Sequence, residues 1–173
     1  MANTFTSPAF GLFGSTPDYD AWLDEQGKDY WRAVYGDYKR QLQVLQHQSR
    51  GSHWVLKSPV HLYSLPMLLE VFPDARIVHS HRDPREAVAS ACSLFALVRS
   101  LFSDDVREKE LGGVLCRRLK FMLDRGDECR SSFGNRIMDV EFEDLVHDQL
   151  GTVKAIYDRF GLSYSPAVDR RLK

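Results

Sequence analysis

Apolar positions along this chain change period several times, and each change marks an element. In "DYWRAVYGDYKRQLQVLQHQ", Trp31, Val34, Tyr35, Tyr38, Leu42 and Leu45 recur every three or four residues, which predicts one helix face. The helical pattern begins at Asp18, and "SRGS" closes it. "HWVLK" is short, apolar and partly β-branched, so it reads as a strand. Ser58 is a good N-cap after it, and Pro59 a good first helical residue. "VHLYSLPMLLEVF" continues as a helix, with a kink or break expected at Pro66. "RIVHSH" is a second strand. Asp83, Pro84 and Glu86 form a capping box at the start of a long helix, "REAVASACSLFALVRSLF". "SDD" ends that helix. "VREKELGGVLCRRLKFMLDRGDECRSSF" is the next, with Gly112 and Gly113 a weak point. "NRIMDVEF" is a third strand. "EDLVHD" and "LGTVKAIYDRFG" are helical, and "LSYSP" breaks the chain before a last helix from about Ala167.

Strands separated by helices of this length predict an α/β fold. Its sheet is parallel, its helices lie on the faces and its crossovers are right-handed. Residues 1–17 have no period and read as an irregular arm, packed through Phe5, Phe10 and Phe13. Residues 18–173 read as a single domain.

Composition changes this picture little. The 173 residues are 43% hydrophobic and 27% charged, ordinary for a globular protein with a real core. A net charge of −1 argues against general nucleic-acid binding but leaves room for a local basic pocket. No apolar run is long enough to span a membrane, and the N-terminus lacks the basic start and apolar stretch of a secretory signal. Cys92, Cys116 and Cys129 show no short metal-binding spacing and read as reduced thiols of a cytoplasmic protein. His79 and His81 alternate on one strand, but no third ligand has suggestive spacing, so no metal is expected. His47, His53 and His147 read as surface residues.

Candidate chemistry sits at the two strand–helix junctions. "VLK-SP" and "SHR-DP" each end a strand on a cation and open a helix. In an open parallel sheet, ligands bind beyond the carboxyl ends of the strands. A helix N-terminus there adds free N–H groups and the positive end of its dipole. Two such junctions side by side predict an anion site. Arg82 offers a planar fork for a phosphate. Ser90 lies two turns beyond Asp83 on the same face. Blander readings stand beside these: Arg82 paired with a carboxylate, Ser90 bonded to a preceding carbonyl, Lys57 a solvated strand end.

"RDPREAVAS" resembles the 3′-phosphate-binding segment of sulfotransferases that use 3′-phosphoadenosine 5′-phosphosulfate (PAPS). Arg82 and Ser90 match that segment in type and spacing. "WVLKSPVHLYSLPMLLEVFPDARIVHSHRDP" and "DVEFEDLVHDQLGTVKAIYDRFGLSYSP" resemble the bacterial branch of the same family, over roughly residues 54–166. The resemblance implies a nucleotide-kinase-like (P-loop-like) α/β fold, truncated at both ends. It also implies transfer of a sulfuryl group from PAPS to an alcohol, phenol or amine without a metal. The expected roles follow. Arg82 and Ser90 hold the 3′-phosphate, Lys57 sits on the leaving oxygen, and His61 takes the acceptor's proton. The alternative for His61 is a surface or packing residue. Phe142 stands where the family has a tyrosine near the nucleotide, and is expected to pack on adenine.

This chain departs from the family in three ways. Pro59 holds the position where many cytosolic members carry their histidine. No Gly-Ser/Thr-rich loop for the 5′-phosphosulfate precedes Trp54. The chain stops at "VDRRLK" without the basic, Gly-containing loop of the family. A non-catalytic remnant that binds rather than turns over is therefore the second expectation. Another nucleotide-dependent transferase is the third, although no P-loop motif for ATP is present. Apolar residues near Phe95, Leu101 and Phe102 point to a hydrophobic small-molecule acceptor.

Overall fold

The computed structural model describes residues 7–47, 51, 53–128 and 130–172. Phe5 and Cys129 lie outside them. Within the expected arm, Ser7 caps a 3-10 turn, Pro8–Leu12, by accepting from the Ala9 N–H. Helices α1 (Pro17–Asp24) and α2 (Lys28–Gln46) follow. The periodic face of α2 turns inward as its spacing requires: Trp31 and Tyr35 are fully buried, with Val34 and Leu42 beside them. Each large aromatic ring removes about 150–250 Å² from water, so this face anchors the core. Leu45 is the exception and lies exposed at the helix end.

The chain then differs from expectation. "HWVLK" is not a strand. Residues 54–58 run without regular structure, with Val55 87% exposed. A strand exists only through ladder bonds to a neighbour, and no strand lies beside this segment among the described residues. The next element also changes. Pro59 opens a 3-10 turn, Pro59–Ser64, rather than an α-helix, and Ser58 makes no side-chain cap bond. The expected break at Pro66 appears as a switch of helix type, with α3 (Leu65–Val71) starting around it.

From there the expected elements form. Strand β1 is Ile77–His81, α4 is Pro84–Ser100, α5 is Glu108–Asp127 and α6 is Arg130–Phe133. Strand β2 is Ile137–Glu141, followed by α7 (Phe142–His147), α8 (Gln149–Arg159) and α9 (Pro166–Leu172). Among the described residues the sheet therefore has two strands, not three. They are parallel, with Ile77 opposite Ile137 and His81 opposite Glu141. Parallel pairing demands a long crossover, and α4 to α6 supply it.

The core joins α2 and α3 to the 3-10 turn at 59–64, to α5 and to β2, through Trp31, Tyr35, Tyr63, Leu69, Met122 and Ile137. Gly126 lets α5 approach that turn, since a Cβ there would stand 2.8 Å from Leu62 Cδ2. The expected weak point at Gly112 and Gly113 does not interrupt α5. Gly161, at φ +64°, ends α8 in a Schellman motif: Leu162 N–H bonds to Tyr157 C=O at 2.8 Å, and Gly161 N–H to Asp158 C=O. Helix α4 stands apart from the core, with no buried residue along its length.

Candidate functional site

The second junction forms as its residues dictate. Asp83 caps α4 by accepting from the Arg85 N–H at 2.8 Å, with Pro84 at the first helical position. Glu86 does not complete a capping box but turns to Arg82. Its Oε2 accepts from Arg82 Nε at 3.0 Å. The Arg82 guanidinium also lies over the Phe142 ring, 4.6 Å from its centroid. Strand register explains that contact: His81 pairs with Glu141, so the residues just past the two strand ends leave side by side. The Phe142 ring thus meets the Arg82 guanidinium.

Ser90 is exposed on the second turn of α4 and makes no hydrogen bond among the described residues. Back-bonding to a carbonyl occurs instead at Ser93, which donates to Ala89 C=O at 3.1 Å. Glu86 and Ser90 are four apart on one face of α4, and Arg82, just before the cap, joins that row through Glu86. An Arg, a Glu and a free hydroxyl thus stand in a row on an exposed edge, above the carboxyl end of β1.

The first junction does not match this geometry. Lys57 is exposed on the unpaired segment and has no ion-pair partner among the described residues. His61 turns toward α2, with its ring near those of Tyr35 and Tyr38, each 5.9 Å away. Its Nδ1 lies 3.3 Å from Tyr35 Oη. Burial pulls its pKa down to about 4, so the imidazole is neutral at neutral pH. Arg82 and Phe142 are brought into contact, with Ser90 on the second turn of the helix that follows Arg82; Lys57 and His61 belong to a separate segment.

A second polar cluster lies on the other face of the sheet. Successive strand residues alternate faces, so His79, His81 and Asp139 share the side opposite Arg82. His81 Nε2 is 2.5 Å from Asp139 Oδ1, and the two histidine rings are 4.3 Å apart. The third group that sequence spacing could not supply thus arrives across the ladder. The three residues place a ligand atom each within 4.8 Å of one another. Arg130 fills the gap between them. It donates to both Asp139 oxygens, at 2.7 and 2.9 Å, and Nη2 lies 2.9 Å from His79 Nδ1. Arg130 holds the Asp139 carboxyl far below the usual range, while burial, His81 and Arg130 push His79 down. Arg130 thus already occupies both Asp139 oxygens and His79 Nδ1, while His81 meets Asp139 directly.

Comparison with known proteins decides the family. The model of the Sulfotransferase family matches residues 5–166. The chain belongs to the sulfotransferase family. It is 26% identical over 157 residues to proteins named omega-hydroxy-beta-dihydromenaquinone-9 sulfotransferase Stf3, from Mycobacterium bovis and Mycobacterium tuberculosis. That match covers 84% of this chain and 38% of theirs. Two solved sulfotransferase structures superpose at a TM-score of 0.88: STF1 from Mycobacterium tuberculosis, at 30% identity, and STF9 from Mycobacterium avium, at 29%. They cover 96% and 97% of this chain, which corresponds to 45% and 43% of theirs. The chain thus spans less than half the length of these sulfotransferases. The family's mostly helical framework with a small parallel sheet is present. No helix among the described residues is long and apolar enough to cross a membrane.

Proposed function

We propose that this chain carries the 3′-phosphate-binding half of a sulfotransferase site and takes part in sulfuryl transfer from PAPS to a hydroxyl or amine on a small molecule. The observation that carries the reading is the Arg82–Ser90 edge. A forked cation and an unpaired hydroxyl stand on one face of a capped helix start, beyond a parallel strand. Bonds from the Arg82 guanidinium and the Ser90 hydroxyl, each charge-assisted by the anion, suit one phosphate. Lys57 is assigned to the leaving oxygen, where a cation lowers the cost of departing charge.

His61 is assigned as the acceptor's base. If Nδ1–H donates to Tyr35 Oη, Nε2 keeps a bare lone pair, which supports the assignment. The low basicity of the ring and its packing on α2 favour a packing role instead. Loss of turnover by about 10²–10⁴-fold in His61→Ala, with nucleotide affinity unchanged, is the result that decides for the base.

Exposed apolar residues support a hydrophobic acceptor. Leu94, Leu97 and Leu101 continue the Ser90 face of α4 in steps of four, three and four, and all three are exposed. A relative named for a menaquinone derivative is consistent with that. Unpaired thiols at Cys92 and Cys116 support a cytoplasmic location.

A second reading, nucleotide binding without turnover, is favoured by the unpaired segment at 54–58 and by the free position of Lys57. Two measurements separate the readings. Titration calorimetry with adenosine 3′,5′-bisphosphate against adenosine 5′-monophosphate tests the 3′-phosphate pocket. An assay with labelled sulfate on PAPS tests transfer. Preference for the bisphosphate with no transfer supports the second reading; no preference removes the pocket.

A further inference from the structure

We infer that Glu86 is a positioning residue, which together with the Phe142 ring holds the Arg82 guanidinium with both terminal nitrogens facing outward for a phosphate. The inference rests on the 3′-phosphate reading of the Arg82–Ser90 edge and adds how that edge is kept ready.

The contact pattern carries it. A guanidinium has three edges and two faces. One face of Arg82 lies on the Phe142 ring at 4.6 Å. The Nε edge is taken by Glu86 Oε2 at 3.0 Å. Nη1 and Nη2 make no hydrogen bond among the described residues. A carboxylate that merely neutralised an arginine would gain most by forking across Nε and Nη2, or across both terminal nitrogens. Glu86 touches Nε alone. The pair of N–H groups that suits two phosphate oxygens therefore stays open, on the helix face that also carries the Ser90 hydroxyl. Arginine carries several freely rotating bonds, and ordering them on binding costs affinity. A stacking ring below and a carboxylate at one edge remove most of that freedom beforehand.

Sequence alone assigns Glu86 to the helix cap, as the third residue after Asp83. Its carboxylate turns instead to Arg82, four residues back, while Asp83 makes the cap bond alone. A negative group one turn from a phosphate site carries an electrostatic cost. Its contact with Nε alone is explained by orientation rather than by charge balance.

The test compares Glu86→Ala with Glu86→Gln, measured by calorimetry with adenosine 3′,5′-bisphosphate and with adenosine 5′-monophosphate. Glutamine keeps an oxygen for the Nε–H but has no charge. The expected result is a loss of about three- to tenfold in bisphosphate affinity for the alanine variant, the range for re-ordering one long side chain. The glutamine variant should restore affinity to the wild-type level or better. Monophosphate affinity should not change in either. Phe142→Leu should also lower bisphosphate affinity, because it removes the ring beneath Arg82.

Three results overturn the inference. Unchanged bisphosphate affinity in Glu86→Ala shows that Arg82 needs no orientation. Tighter binding in both variants shows that Glu86 is a competing anion. Equal losses in both assign it to the helix dipole, which depends on charge alone. Thermal melts of each variant separate loss of fold from loss of affinity. The resonance of the Arg82 Nε–H provides a readout without ligand: slow exchange with solvent in wild type and Glu86→Gln, fast exchange in Glu86→Ala. If wild-type protein does not distinguish the bisphosphate from the monophosphate, the 3′-phosphate reading itself falls, and that is visible before Glu86 is touched.

Discussion

Two stretches of this chain share one sequence pattern and differ in structure. Residues 54–64 and 77–90 each run from an apolar segment to a cation, then to a capping residue and a proline. The second stretch becomes strand, cap and α-helix: β1 pairs with β2, Asp83 caps, and α4 runs for 17 residues. The first becomes an unpaired segment and a 3-10 turn, and Ser58 makes no side-chain cap bond. A cap is a local device that needs only its own next residues. A strand is a long-range device that needs a neighbour. Residues 77–81 have one in 137–141, and residues 54–58 have none among the described residues.

The largest effect that sharpens this comparison is in nucleotide binding. Arg82→Ala should weaken adenosine 3′,5′-bisphosphate by about 1.5–3 kcal/mol, the cost of losing a charge-assisted hydrogen bond. Lys57→Ala should have a much smaller effect. Equal losses measured by calorimetry would mean that the two junctions act as one anion site despite their different geometry.

Next is the pH dependence of the first junction. The His61 pKa, pulled down by burial to about 4, lies below its ordinary value near 6.5. Between those values the unfolded chain binds a proton that the folded chain refuses. Stability is therefore full above about pH 6.5 and falls as the pH drops toward 4. The loss should reach about 2 kcal/mol after allowing for the part of the ring that water reaches. Urea unfolding of wild type and His61→Phe between pH 7 and 4 measures it. A parallel decline in both proteins would show that His61 titrates normally.

The smallest effect concerns the caps. Asp83→Ala should cost about 1 kcal/mol of unfolding free energy, and Ser58→Ala close to none. Denaturant midpoints of the two variants give the difference. A comparable loss at Ser58 would show that the first junction forms a helix cap in solution after all.

Much of the candidate site is legible in the order of residues. The spacing of Arg82 and Ser90 and the cap at Asp83 are local, and the cap forms as its residues require. The role of Glu86 is half legible. Its distance of four from Arg82 is the ordinary spacing for a helix ion pair, but the capping-box pattern points to another partner. The ring beneath Arg82 is not legible, because Phe142 lies sixty residues away. Nor is the knot of His81, Asp139 and Arg130, whose members come from a strand, its neighbour and a helix.

By itself the sequence determined what periodicity and neighbouring residues decide. Those are the inward face of α2, the cap of α4, the break after α8 and the spacing of Arg82 and Ser90. Each depends on backbone geometry within a few turns, which the local residues impose on their own. Only the tertiary structure decided whether an apolar run becomes a strand, what lies under the Arg82 guanidinium, and which of two histidines meets an aspartate. Those outcomes depend on register and packing between segments far apart in the chain. There a side chain's neighbours are set by the fold as a whole and not by the order of residues around it.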